Sequence, residues 1–116
     1  MVAQNLNETQ VDRIFQALAD ATRRDIVSRT LTRELSVSTL AERYAMSFAA
    51  VQKHVAVLER AALVSKVRRG REQLVHGNAD TLRRAARLLD AYEEIWHARA
   101  ASIGELLSEP GKGKEQ

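Results

Sequence analysis

With 116 residues, 45% of them hydrophobic, the chain is long enough for one compact domain with its own core and too short for two. It has no cysteine, which excludes disulfide scaffolds, iron–sulfur ligation and thiolate chemistry. Lys and Arg exceed Asp and Glu by 18 to 15, which permits a nucleic-acid partner without demanding one. Met1 to Gln10 lack the pattern of a secretion signal, and no apolar run nears the ~20 residues that cross a bilayer, so a soluble cytoplasmic protein with no membrane partner is expected.

The only proline is Pro110 and glycines are few, so helices should dominate. Val11, Ile14, Phe15 and Leu18 recur at helical spacing and predict a first helix from about Glu8 to Ala19. Asp20 reads as the N-cap of a second helix over Ala21 to Leu31, with Ile26, Val27 and Leu31 facing inward. Ser36 caps a short helix over Val37 to Tyr44, whose inner positions are Leu40, Ala41 and Tyr44. After a break at Ala45-Met46, Ser47 caps a further helix that ends near Ala61 or Ala62. Val51, Val55 and Leu58 form its buried stripe, and Gln52, Lys53 and His54 lie on the other face.

From Leu63 the pattern changes. Val64 to Arg69 and Glu72 to Asn78 read as two strands around Arg69-Gly70-Arg71, a hairpin in which Gly70 supplies the positive φ of the turn. A long helix is expected from Asp80 to Leu107, with Leu82, Ala86, Leu89, Trp96, Ile103 and Leu107 at helical intervals. Residues 1–107 therefore form the expected domain. Ser108 to Gln116, rich in Gly, Lys and Glu, read as a disordered tail.

Two helices across a tight break, followed by a basic hairpin, suit DNA recognition. In a helix-turn-helix the second helix offers its N-terminal residues to base edges in the major groove. Ser47, Phe48, Ala49, Gln52, Lys53 and His54 are the candidate readers. Gln bonds adenine bidentately, Lys donates to guanine, and Phe or Ala meets a thymine methyl; His54 suits a phosphate or a base, or a place among apolar neighbours. A merely solvated helix face is the alternative, disfavoured by the capped helix before it and the basic hairpin after it. Arg68, Arg69 and Arg71 are candidates for contact with phosphates or an adjacent minor groove, a solvated turn being the alternative. Arg23, beside Thr22 and Arg24 in the first turn of the second helix, is a further backbone candidate, although a salt bridge or solvated surface explains it equally well.

The long last helix would leave Leu89, Trp96 and Ile103 wet on so small a domain, at ~25 cal/mol per Å² of apolar surface, which pairing with a second copy would relieve. Such a dimer carries two recognition helices and suits a palindromic operator. Catalysis has little support, because His54, His76 and His97 are scattered and no Ser-His-acid set follows from spacing. Asp90, Glu93 and His97 share a helix face and are weak metal candidates, but zinc sites need about three or four ligands and an ion pair explains them better. No cofactor is expected.

These residues resemble the arsenical-resistance-repressor (ArsR-type) family of winged-helix transcription factors over roughly Val11 to Leu107. The marks are Phe15-x-Ala17-Leu18-Ala19-Asp20-Ala21-Thr22-Arg23-Arg24, Leu40-Ala41-Glu42, Ser47-x-x-x-Val51-x-Lys53-His54-x-x-x-Leu58-x-x-Ala61-x-Leu63-Val64, and Arg69-Gly70-Arg71. The end, with Tyr92 and Trp96-x-x-Arg99, resembles the subgroup without a known metal. The resemblance implies a mainly α winged helix-turn-helix with a small β-hairpin, ordered α-α-α-α-β-β-α. It also implies dimerisation through terminal helices, for which Phe15, Leu82, Leu89, Trp96 and Ile103 are candidates, and repression of a double-stranded DNA operator, with an unknown small-molecule effector as a further partner.

Departures from the family pattern bear on sensing. Metal-sensing members carry Glu-Leu-Cys-Val-Cys-Asp where this chain has Glu34-Leu35-Ser36-Val37-Ser38-Thr39, and serine does not replace a soft thiolate. The family's last-helix site uses Asp-x-His, whereas this chain has Asp90-x-Tyr92. Gln52 stands where serine is usual before Lys-His, and Ala21 where proline is common. Two rival readings remain: a metal-responsive repressor using the last helix, and a winged-helix module that binds another protein.

Overall fold

The computed structural model describes residues 6–108. Its elements are α1 (Glu8–Leu18), α2 (Ala21–Thr32), β1 (Leu35–Ser36), α3 (Val37–Tyr44), α4 (Phe48–Arg60), β2 (Val64–Arg69), β3 (Glu72–Gly77) and α5 (Ala79–Ser108). The fold is the expected mainly helical winged helix-turn-helix, with one addition. Leu35 and Ser36 form a short strand that pairs antiparallel with β3, so the hairpin belongs to a three-stranded sheet of order β1-β3-β2. Of the tail expected from Ser108, Ser108 itself ends α5 and 109–116 lie outside the described residues.

Local side-chain chemistry starts the helices. Asp20, Ser36 and Ser47 each accept a bond from the backbone N–H three residues on, at Arg23, Thr39 and Ala50, as their sequence positions predict. Each such cap is worth about 1 kcal/mol. α1 has a reciprocal cap that the sequence reading did not include: Asn7 Oδ1 accepts from Gln10 N at 2.8 Å while Gln10 Oε1 accepts from Asn7 N at 2.9 Å.

Two helices end on alanines in the left-handed conformation, Ala45 (φ 53°) after α3 and Ala62 (φ 60°) after α4. The amides that follow reach back five residues, from Met46 to Ala41 O at 3.0 Å and from Leu63 to Leu58 O at 2.9 Å. These are glycine-type terminations built without glycine. The first makes the tight turn of the helix pair, and the second leads α4 into β2.

The core of the first unit is aliphatic. Ile14, Ile26, Leu40, Leu58, Leu63, Val37, Val51, Val55, Val64 and Val75 are its largest fully buried side chains, each worth about 1.5–3 kcal/mol of burial. Leu31, expected to face the core, is instead 40% exposed, because the backbone of Gly77 occupies the space beneath it: a Cβ on Gly77 would lie 2.9 Å from Leu31 Cγ and Cδ2. The chain divides into two compact units, one up to Ala85 and one from Ala86 onward, the second being helical through Ser108. Among the described residues no helix is long and apolar enough to cross a membrane.

Candidate nucleic-acid interface

α4 sorts its side chains into two populations. Val51, Val55 and Leu58 are buried, while Ser47, Phe48, Ala49, Lys53 and Ala56 are exposed, Phe48 to 47%. Most of this set lies in the first half of the helix, the part that enters a groove in a helix-turn-helix, and Glu59 and Arg60 at its end are exposed as well. Gln52 lies between the two populations. It is partly buried, and its Oε1 is enclosed without a hydrogen-bond partner. An outward turn of that amide would relieve an unsatisfied interior acceptor.

His54 and Arg23, two of the sequence candidates, face each other. Arg23 Nη1 lies 3.2 Å from His54 Nδ1, Arg23 Nε donates to Ala17 O at 2.8 Å, and Nη2 donates to Gln16 O at 3.2 Å. Asp20 Oδ2 lies 3.9 Å from His54 Nδ1. Arg23 thus satisfies the last carbonyls of α1 and ties that end to α4, and His54 is turned toward this junction, away from the exposed face of α4. The Arg23 backbone N–H donating to Asp20 holds that carboxyl below the usual carboxylate range against opposing burial, and the Arg23 charge and His54 lower it further. Arg24 does the same capping work, donating to Leu18 O at 2.7 Å.

The hairpin projects its arginines. Arg69 and Glu72 are paired across the strands, leaving Gly70 and Arg71 as a two-residue loop, with Gly70 at φ 64° in the first central position where a II′ turn calls for glycine. Arg68, Arg69 and Arg71 are all exposed. Arg69 is not idle: its Nη1 donates to Glu34 Oε1 at 3.2 Å, and the other oxygen of Glu34 lies 3.4 Å from His76 Nδ1. Lys66 lies 3.8 Å from Glu59 of α4. Glu34 was missed as a partner of the basic hairpin because it acts through β1, and a two-residue strand leaves no periodicity to read.

No family model matches the chain. Among solved structures, an ArsR-like transcriptional regulator from Rhodococcus sp. RHA1 is 33% identical, with 82% of this chain and 90% of that one covered at a TM-score of 0.72. The chain belongs to the ArsR family of transcriptional regulators. Another ArsR family regulator of known structure is 28% identical over 80% of this chain and 96% of that one, with a TM-score of 0.74. The homodimeric winged helix-turn-helix DNA-binding domain Mb0332 from Mycobacterium bovis is 25% identical over 74% of this chain and 81% of that one, with a TM-score of 0.61. The HTH-type transcriptional regulator Rv2034 of Mycobacterium tuberculosis is 49% identical over 53 residues, which is 46% of this chain and about half the length of that regulator.

In this ArsR-family chain one of the two positions of the absent thiolates has other work. Ser36 Oγ caps α3 and donates to Thr39 Oγ1 at 2.9 Å, while Ser38 is exposed. On α5, Glu93 Oε2 and His97 Nε2 are 3.4 Å apart, and no group of three potential ligands occurs among the described residues, Asp90 included. The dimer candidates separate. Leu82 is partly buried against the core of its own unit, whereas Leu89, Trp96 and Ile103 are exposed, as is Phe15 of α1. Most of the exposed large apolar residues of α5 fall on a seven-residue repeat, Leu89, Trp96 and Ile103 at one position, Tyr92 and Leu106 with Arg99 at the other, while Ile95 and Leu107 are exposed off it.

Proposed function

We propose that this ArsR-family chain is a cytoplasmic, homodimeric DNA-binding repressor that occupies a two-fold symmetric operator and blocks access of polymerase. The observation that carries this reading is the division of α4: a fully buried Val51-Val55-Leu58 stripe fixes the helix, and the opposite face, with Phe48, Ala49 and Lys53, is left to solvent beside a basic hairpin. Lys53 donates to guanine, Gln52 turns outward to bond adenine, and Phe48 and Ala49 meet thymine methyls. Arg68, Arg69 and Arg71 hold phosphates and set the register. Arg23 and His54 act one step back, as positioning residues that lock α4 to the end of α1.

The heptad seam of α5 supports pairing with a second copy, and the Mycobacterium bovis domain is described as homodimeric. Two recognition helices then read half-sites about 34 Å apart. The test is binding of the purified chain to a duplex from its own promoter and to a random duplex across a salt series, with a footprint on the promoter. Salt-sensitive binding with a clear preference for the promoter and a symmetric footprint is expected. Equal affinity for both duplexes would sink specific regulation, and no salt-sensitive binding at all would favour a protein-interaction module.

A further inference from the structure

A cleft of about 530 Å³ opens between the C-terminal turn of α2 and α3, within the size range of small-molecule sites. Its polar lining is Arg29, Arg33, Arg43, Thr32, Thr39 and Glu42. Three arginines and one glutamate line it, and with Arg29 paired to Asp25 one positive charge is left unbalanced around a concave space. Arg33 and Arg43 are exposed, and Arg29, whose Nε is bonded to Asp25 at 2.7 Å, completes the basic lining. Thr39 Oγ1 accepts from Ser36, leaving its own O–H to donate. The planar fork of Arg matches carboxylate and phosphate oxygens with two parallel bonds, and like charges gathered around one space repel until an anion enters.

We propose that this cleft is the effector site of the chain and takes a small oxyanion, a phosphorylated or carboxylate metabolite. A free anion fits better than a DNA phosphate because these arginines line a cleft between two helices and not the exposed face of α4 or the hairpin. The site is also wired to the helix pair. Arg29 grips Asp25, and Asp25 accepts from the hydroxyl of Tyr44, the last residue of α3. An anion that draws the Arg29 guanidinium outward loosens its hold on Asp25 and changes how α3 is seated on α2. Binding that favours one seating of α3 changes DNA affinity reciprocally, and this coupling rests on the DNA-binding reading above.

The test uses the full chain. Thermal unfolding followed by circular dichroism, without DNA, is measured against pyrophosphate and citrate at constant ionic strength, with chloride as control. A saturable rise of several degrees at about a hundredfold excess over Kd is expected, lost in the R33A/R43A variant and retained in part by R33K/R43K, each with an unchanged helical spectrum. No saturable rise, or an equal rise in R33A/R43A, overturns the site. If the free chain binds neither anion while R33A/R43A loses DNA affinity, the arginines serve the DNA backbone and the proposal fails. With the anion bound, promoter affinity should change about tenfold, and an unchanged affinity overturns the effector role. A chain that gains stability from the anion but binds no DNA refutes the DNA reading alone.

Discussion

The Tyr44 hydroxyl donates to Asp25 Oδ2 at 2.5 Å, joining the last residue of α3 to the middle of α2. Arg29 Nε completes the group by donating to the same oxygen at 2.7 Å. The two bonds, that from Tyr44 first, hold the Asp25 carboxyl below its usual range, and burial together with the bond to Asp25 pushes the Tyr44 phenol up to about 12. Tyr44→Phe removes a bond to a charged acceptor and should cost about 1.5–3 kcal/mol in urea unfolding. The folded chain holds the Tyr44 proton more tightly than the unfolded chain. Its contribution is therefore intact below about pH 10 and lost as pH rises from there toward 12. Tyr44→Phe should flatten stability in that window. Asp25 has the opposite sign: its contribution is present above the ordinary carboxylate pKa of 3.8 and lost as pH falls through its lowered value.

The helix-pair turn carries strain that glycine would relieve. Ala45 sits at φ 53°, where an L side chain costs roughly 1–2 kcal/mol. Ala45→Gly removes that cost at the expense of a more flexible unfolded chain, and a net gain of about 0.5–1 kcal/mol is expected, seen as a higher midpoint in urea at an unchanged slope. A loss of stability would show that the Ala45 side chain contributes packing that the left-handed conformation does not outweigh.

Gly77 is a site of close approach. A Cβ there would stand 2.9 Å from the Leu31 side chain and 3.1 Å from Leu31 N, so Gly77→Ala should cost about 1–3 kcal/mol. Combining it with Leu31→Ala should recover part of the loss, because the side-chain share of the clash disappears while the backbone share stays. A double-mutant cycle on equilibrium unfolding separates the two.

The hairpin and α4 should divide affinity from specificity. Arg68→Ala and Arg71→Ala should weaken binding to every duplex and lower the salt slope by about one each. Lys53→Ala should cost about 1–3 kcal/mol on the promoter and little on random DNA. Glu34→Gln releases Arg69 from an exposed ion pair and should raise affinity for all duplexes by about two- to fivefold, in line with the worth of such pairs. Fluorescence anisotropy of a labelled duplex measures all four.

Pairing through α5 gives a last expectation. Trp96→Asp and Ile103→Asp place charges on the heptad seam and should shift the chain toward monomer in sedimentation equilibrium, with the helical content of the first unit kept.

The parts of this fold legible in the sequence are those decided within a few residues. Asp20, Ser36 and Ser47 cap where they stand because each carboxylate or hydroxyl reaches an amide three residues on. The spacing of Val51, Val55 and Leu58 assigns the face of α4 without reference to any other element. The rest depends on what lies across a gap. Arg23 and His54 are 31 residues apart and read separately as surface candidates; only the packing of α1, α2 and α4 turns them toward each other. Leu31 has a core residue's chemistry and spacing, yet the place beneath it is taken by the backbone of Gly77. The cleft at Arg29, Arg33 and Arg43 was equally hidden, since its arginines come from two helices and no local pattern gathers them.

The placement of the aromatic residues has a practical result. No aromatic side chain is among the fully buried ones, and Trp96, the sole tryptophan, is 60% exposed on α5. Its indole emission is therefore blind to melting of the aliphatic core and sensitive to whatever covers the seam of α5. Diluting the protein through its association constant should move that emission to the red with no loss of helix, so the chain carries its own optical gauge of subunit pairing.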